Sequence, residues 1–268
     1  MKKIMLLLTV GFIVLSGCTR ENPVIPENDF VVVRAYLYAN QLVSDIQITT
    51  TFPLDVEIEQ APVVNDASVT ISKNGQRYNL VSTSGDNGYY NYPDGDLTVG
   101  VGDEFSIEVD YNGKLATGQT LVPPTPDSVS LSSRNLVIPQ FNQGSRPDLE
   151  NAFLTVKWDN TEREFFYLDI ENLERDPIPI ESSFPGRFKS FISQPVKVDS
   201  FRVNFGMVTH YGTHRVIVYR VNSEYADMYE WREQDSRDLN EPLSNISNGL
   251  GVFSAFNSDT LYFEVIEG

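Results

Sequence analysis

The sequence predicts an all-β protein of two tandem immunoglobulin-like or transthyretin-like β-sandwich domains, with one short helix in the second. Three observations carry that prediction. Short runs that alternate apolar and polar residues, the period of a half-buried strand, recur along most of the chain. Two Asn-Gly pairs, Asn74-Gly75 and Asn112-Gly113, lie between such runs. Asn-Gly is the strongest short hairpin signal, because both residues tolerate positive φ. Finally, Pro123-Pro124-Thr125-Pro126 interrupts the pattern before it resumes. Prolines cannot donate ladder hydrogen bonds, so this stretch reads as a semi-rigid connector between domains.

The first residues are read apart from the fold. The chain opens Met1-Lys2-Lys3, runs mostly apolar from Ile4 to Leu15, and reaches Leu15-Ser16-Gly17-Cys18, where Cys18 is the only cysteine. Two lysines, a short apolar run and small residues before a cysteine are the pattern of a bacterial lipoprotein signal peptide, and the run is short for a bilayer span. Residues 1–17 are therefore expected to be removed, leaving Cys18 as an acylated first residue carrying palmitate-type chains. Each buried methylene contributes about 0.8 kcal/mol, and two or more chains hold where one does not. Residues 18–28, with two prolines and no periodicity, read as a tether.

Loss of residues 1–17 takes away Lys2 and Lys3 and no acid, moving the formal net charge from −17 to −19. So acidic a body repels phosphate backbones and anionic headgroups, which argues against nucleic-acid partners and leaves the lipid as the membrane attachment. With its lone cysteine committed to the anchor, the fold has no disulfide and depends on packed core.

The N-terminal sandwich is expected over residues 29–122. Val31, Val33, Ala35 and Leu37 alternate; so do Ala67, Val69 and Ile71, which turn through Asn74-Gly75 into Tyr78 and Leu80. Phe105, Ile107, Val109 and Tyr111 turn through Asn112-Gly113 and return over Leu115 to Leu121. After the linker at 123–127, the C-terminal sandwich occupies 128–268. Its strands are Ala152 to Trp158, Phe166 to Ile170, Phe201 to Phe205, the nearly continuous apolar Val216 to Val221, and Leu261 to Val265. The continuous run reads as a central strand covered on both faces. Residues 173–197, with four prolines, read as a long loop of the kind that often carries function. Over 223–234 the habit changes: Ser223 suits a cap, Glu224 and Asp227 suit the dipole, and Tyr225, Met228, Tyr229 and Arg232 share one helical face. This short helix is expected to lie across the second sandwich.

Constellations that carry chemistry are sparse. There is no Gly-x-Ser-x-Gly, no His-Glu-x-x-His, no phosphate-cradling glycine loop and no further cysteine, so no enzyme activity and no cofactor are expected. His210 and His214 are the only histidines; on a helix they could share a metal, but Gly212 and β-prone neighbours make them two strand residues. Asp55, Glu57 and Glu59 read as a solvated strand face that discourages edge pairing, and neither they nor Asp94 and Asp96 make a built metal site. Tyr89, Tyr90 and Tyr92, between turn residues, are the candidate ligand or partner surface, weighed against core roles for Tyr89 or Tyr90. Asn245 to Phe256, with Gly249 and Gly251, reads as a tight turn entering a buried strand.

Several stretches together resemble a family of Bacteroidota lipoproteins known as domain-of-unknown-function family 4249. They are Glu27-Asn-Asp29 leading into Val31 to Tyr38, Asn65 to Ile71, Val101 to Phe105, Thr120 to Pro123, and above all Ser244-Asn-Ile-Ser-Asn-Gly-Leu-Gly-Val-Phe-Ser-Ala255. The likeness covers the chain from Glu27 onward. It implies an outer-membrane lipoprotein, at the cell surface or on the periplasmic face, that assists a TonB-dependent receptor in nutrient uptake, and it supplies no catalytic residues. The rival expectation is a structural or adhesive surface lipoprotein.

Overall fold

The computed structural model describes residues 30–52, 60–140, 152–180, 190–232 and 244–268. The expected signal peptide 1–17, Cys18, the tether 18–28 and the row Asp55, Glu57 and Glu59 lie outside the described residues. Within them the chain is all-β: seventeen strands and one helix, α1 (Ser223–Arg232).

The strands form three sheets. The largest contains, in spatial order, β13 (Ser190–Ile192), β12 (Phe165–Asn172), β15 (Gly212–Val221), β17 (Leu250–Glu267), β1 (Val31–Tyr38), β2 (Ile46–Thr50), β6 (Tyr89–Asn91) and β5 (Val81–Ser82), with β10 (Asn135–Ile138) also on β17. A second sheet runs β16 (Ile246–Ser247), β8 (Lys114–Leu121), β7 (Glu104–Tyr111), β3 (Ser68–Lys73), β4 (Gln76–Asn79). The third is β14 (Ser200–Asn204), β11 (Phe153–Lys157), β9 (Ser130–Leu131). Both hairpins form where Asn-Gly predicts them. Asn74 and Gly75 have φ of 48° and 87°, Asn112 and Gly113 of 52° and 73°, the two positive values a type I′ turn needs.

Strand alternation sorts the side chains into two cores. Val31, Val33, Ala35 and Leu37 of β1 meet Val69, Ile71, Phe105, Ile107 and Val109 of the second sheet. Leu168, Ile170, Val216, Val218, Phe263 and Val265 of the large sheet meet Leu154, Val156 and Val203 of the third. The run Val216 to Val221 is central in its pairing, hydrogen-bonded to β12 on one side and β17 on the other. It is not covered on both faces, however: Val216 and Val218 are buried in the core, while Ile217 and Tyr219 are only half-buried on the outer face.

The sheets do not divide at 123–127. Residues 244–256, expected in the C-terminal sandwich, pack into the first core through Ile246, Phe253 and Ala255. The eighteen residues of β17 then cross into the second: its first half pairs parallel with β1, from Val32↔Leu250 to Tyr38↔Phe256, and its second half pairs antiparallel with β15, ending Gly212↔Val265. One large sheet thus serves both cores, each backed by its own smaller sheet.

The local cause of this insertion is the Asn-Ile-Ser-Asn-Gly-Leu-Gly-Val-Phe run. Asn245 is a bridge: its Nδ2 donates to the carbonyls of Phe253 (2.7 Å) and Gln119 (3.1 Å), and its Oδ1 accepts from the Phe253 amide (2.9 Å). Gly251, at φ 104°, lies so close to β1 that a Cβ there would sit 2.0 Å from the Val33 carbonyl oxygen. Only glycine permits that approach. The run is an element of construction.

Two other expectations change. Part of 173–197 is ordered strand, since β13 pairs with β12 and Val196 bridges Phe166; residues 181–189 lie outside the description. The helix begins one residue earlier in its bonding than the Ser223 cap implies: the amides of Tyr225 and Ala226 both donate to the Asn222 carbonyl (3.3 Å each). Asn222 is therefore the cap position, and its side chain reaches across to Thr120 and Leu121 in the first half.

Candidate functional site

The sequence-predicted tyrosines diverge. Tyr90 is 1% exposed; its hydroxyl donates to the Val64 carbonyl (3.1 Å) and accepts from the Ala67 amide (3.0 Å), which fastens a loop to the first core and leaves no surface to offer. Tyr89, on the opposite face, accepts from Arg34 (3.1 Å). Tyr92 donates to Asp96 (2.7 Å) and stands edge-on to Tyr78. The three do not make one surface.

His214 is 2% exposed and stacked on Phe263, with Nδ1 against the Gly212 carbonyl (3.0 Å) and Nε2 3.3 Å from Asn172 Nδ2. Since an amide nitrogen only donates, Nε2 accepts and the ring is neutral. Burial lowers its pKa, the Gly212 carbonyl and nearby carboxylates opposing without prevailing. His210 Nδ1 meets Thr209 instead (2.8 Å). No group of three metal-ligating side chains converges among the described residues.

What the structure does bring together is a set of tyrosines from distant segments. Even-numbered residues of β17 face away from both cores, as do Tyr36 and Tyr38 of β1, Tyr167 of β12 and Tyr219 of β15. Alternation demands this, because their neighbours Ala35, Leu37, Leu168 and Val218 are in the cores. The helix lies on this outer face across the junction of the two halves. Its Tyr225 meets Phe256 at 4.8 Å, Tyr167 at 5.6 Å and Tyr36 at 5.8 Å between ring centroids. Beside it Tyr167 and Tyr219 stack at 4.7 Å and 11°, and Tyr38 stacks on Phe256 at 5.1 Å.

The cluster continues into an open polar strip. Next to the Tyr167–Tyr219 pair in register lie Asp169 and Ile217, then Glu171, Arg215 and Tyr262, the last 57% exposed. Arg215 pairs with Glu171 at 2.5 Å. Asp169 Oδ1, Arg215 Nε and Ser254 Oγ are buried atoms with no hydrogen-bond partner among the described residues. Tyr167 is 6% exposed.

Electrostatics tie these groups to one another. Burial raises Tyr38 to about 12 and raises Tyr167 and Tyr219 as well, with the charge of Asp169 contributing to all three. Burial also raises Asp169, reinforced by Glu171 and opposed by Arg215. The phenols therefore stay protonated near neutral pH, able to donate and accept hydrogen bonds.

A concavity of about 850 Å³ opens elsewhere, between the second sheet and the start of α1, among Ser106, Gln119, Glu104, Glu164, Lys197 and Glu224. Its wall contains a polar latch centred on Thr120. Thr120 Oγ1 donates to Glu224 (2.7 Å) and accepts from Asn222 (3.1 Å) and from the Ala255 amide (3.0 Å).

Sequence reasoning placed Tyr225 and Tyr229 on one helical face but gave that face only the second sandwich to cover. Tyr36, Tyr38, Tyr167 and Tyr219 carried no local signal of convergence. Each sits at an ordinary outward strand position, and only the register gathers them.

No curated protein matches the chain. Residues 20–261 match the family described as Domain of unknown function (DUF4249), and with most of its length matched the chain belongs to that family.

Proposed function

We propose that the protein is a non-enzymatic lipoprotein of the outer membrane that partners a TonB-dependent receptor in nutrient uptake. The observation that carries this reading is Leu15-Ser16-Gly17-Cys18 behind two lysines and a short apolar run, in a member of this family. Acylation at Cys18 confines the body to the membrane plane, which raises its effective concentration beside a receptor. In this reading each lobe is an immunoglobulin-like or transthyretin-like sandwich that shares β17, and the outer tyrosine face is the contact surface. Tyrosine suits that work because it offers large area with few rotatable bonds.

Affinity capture of the full chain from native membranes in mild detergent tests the partnership. Recovery of a TonB-dependent receptor at near-equal amounts supports it; capture that yields none overturns it. A structural or adhesive surface role is the rival, favoured by the stiffness a shared sheet gives the two halves. Under that rival, deletion weakens attachment or envelope integrity and leaves growth on every nutrient unchanged.

A further inference from the structure

We infer that the end of the first lobe where β1 begins, carrying Phe30, Phe52, Pro62 and Leu115, seats on the zwitterionic face of a phospholipid bilayer. The inference rests on the reading of Cys18 as an acylated anchor, and adds to it a second, noncovalent contact and an orientation.

Four exposed apolar side chains from separate segments meet at this end. Phe30 is 36% exposed, Phe52 40% and Leu115 48%, and Pro62 is exposed as well. Backbone bonds hold the first segments side by side. The Phe30 amide donates to Thr51 Oγ1 (3.1 Å), the Thr51 amide to the Phe30 carbonyl (3.0 Å), and the Thr50 amide to the Pro62 carbonyl (2.9 Å). Leu115 reaches the same end from the second sheet. Asn248 Nδ2 donates to its carbonyl (3.3 Å), and the next residue, Gly249, is wedged between the Val31 carbonyl and the Ala116 side chain. A single exposed phenylalanine needs no explanation, but apolar residues grouped at one end of a sandwich mark a contact surface.

What covers it follows from the chain that precedes it. Phe30 follows Cys18 by twelve positions, and that length spans at most about 40 Å when fully extended. The anchor therefore holds this end of the body within reach of lipid. The rest of the molecule leads away from it. Leu42, 66% exposed, and Val101 lie beyond the far end of β1, where the Asn40 amide donates to the Val99 carbonyl (2.9 Å). The eight residues of β1 set them about 25 Å further on. β17 starts beside β1 at Leu250 and runs eighteen residues into the second lobe, a length of about 55 Å.

Charge selects the kind of surface. The chain carries a formal −17, Asp110 stands opposite Leu115 in register, and Asp66 is exposed nearby, so anionic headgroups are repelled. A zwitterionic face imposes no such penalty. Phenylalanine settles at the boundary of headgroup and acyl chain with a strength that scales with the apolar area it buries. A weak contact is enough here, because the anchor makes it intramolecular.

Site-specific fluorescence tests the seating. Cys18 is the only cysteine, so once it is acylated an introduced cysteine is the sole free thiol. Lys114→Cys at this end, Leu42→Cys at the far end of the lobe and Tyr262→Cys in the second lobe each receive a nitrobenzoxadiazole label. The acylated proteins are placed in phosphatidylcholine vesicles that contain a nitroxide-bearing lipid. Quenching about threefold greater at Lys114→Cys than at the other two positions is expected, and Phe30→Ser combined with Phe52→Ser is expected to bring it down to their level. The three labels test the seating even where the paired variant fails to fold. Equal quenching at all three positions, a maximum at Leu42→Cys or Tyr262→Cys, or quenching unaltered in a folded paired variant overturns the inference. So does a Lys114→Cys label that is shielded from water yet unquenched, which means that a second copy or another protein covers this end. The mass of the Cys18 peptide and flotation with the vesicles read the anchor separately. An unacylated protein that fails to float overturns the lipoprotein reading and the inference with it; an acylated, floating protein without the quenching pattern overturns the inference alone.

Discussion

Gly251 and Val33 face each other across β17 and β1 at a separation that leaves no room for a side chain: a Cβ on Gly251 would approach the Val33 carbonyl oxygen to 2.0 Å. Its φ of 104° is also a conformation that L-residues rarely adopt. Gly251→Ala is therefore expected to destabilise the protein by about 2–4 kcal/mol, combining backbone strain with a forced shift of β1. Urea unfolding followed by circular dichroism measures it. Gly75→Ala is the contrasting case: nothing lies within 4 Å of its added Cβ, so the loss is that of positive φ alone, about 1 kcal/mol.

Thr120 is a latch between the halves. Its hydroxyl accepts from Ala255 on β17 and Asn222 at the head of α1, and donates to Glu224. Thr120→Val keeps the shape and strands the Ala255 amide in a buried place. The expected cost is about 1–3 kcal/mol, the usual penalty for an unmet buried donor. The same unfolding experiment reads it, and Thr120→Ser is expected to recover most of the loss.

Tyr90→Phe removes the hydroxyl that links Val64 to Ala67 without altering the packed ring. A loss of about 1–2 kcal/mol is expected in unfolding experiments. Amide exchange should quicken at Ala67, whose N–H the hydroxyl accepts from, while exchange in β15 should stay as it was.

His214 gives stability a pH dependence of defined sign. Its folded pKa lies below the ordinary value of about 6.5 because the ring is buried, so between the two values the unfolded chain binds more protons. The stability it contributes is complete above about pH 6.5 and is lost as pH falls through the folded pKa. His214→Gln should remove that component, and the difference in unfolding free energy between the two proteins should shrink steadily as pH is lowered from about 7.5 to about 5. A difference that grows in that direction contradicts the neutral, buried ring.

Local chemistry was readable from the residues, and long-range pairing was not. The turns at Asn74-Gly75 and Asn112-Gly113, the alternation of Val31 to Leu37 and a strand at Val216 to Val221 appear in the structure because each rests on neighbours in sequence. The parallel pairing of β1 with β17 joins segments more than two hundred residues apart, and no periodicity in either announces the other. That single pairing decides where 244–256 packs. It also decides the candidate site, since it brings Tyr36 and Tyr38 beside Phe256 and within reach of Tyr167 and Tyr219. The clustered letters Tyr89, Tyr90 and Tyr92 were visible and came apart, because strand alternation sends Tyr90 inward and its neighbour outward.

If β17 joins both cores into one structural unit, they must unfold together. Native-state hydrogen exchange of the full chain compares the two most directly, through the amides of Val33 and Ala35 in the first core and Val216 and Val218 in the second. Equal opening free energies at these four positions, matching the global value and falling equally in Gly251→Ala, are the expected result. Two separate plateaus, with Val216 and Val218 untouched by the substitution, would mean that the halves are independent domains and that the shared strand does not couple them.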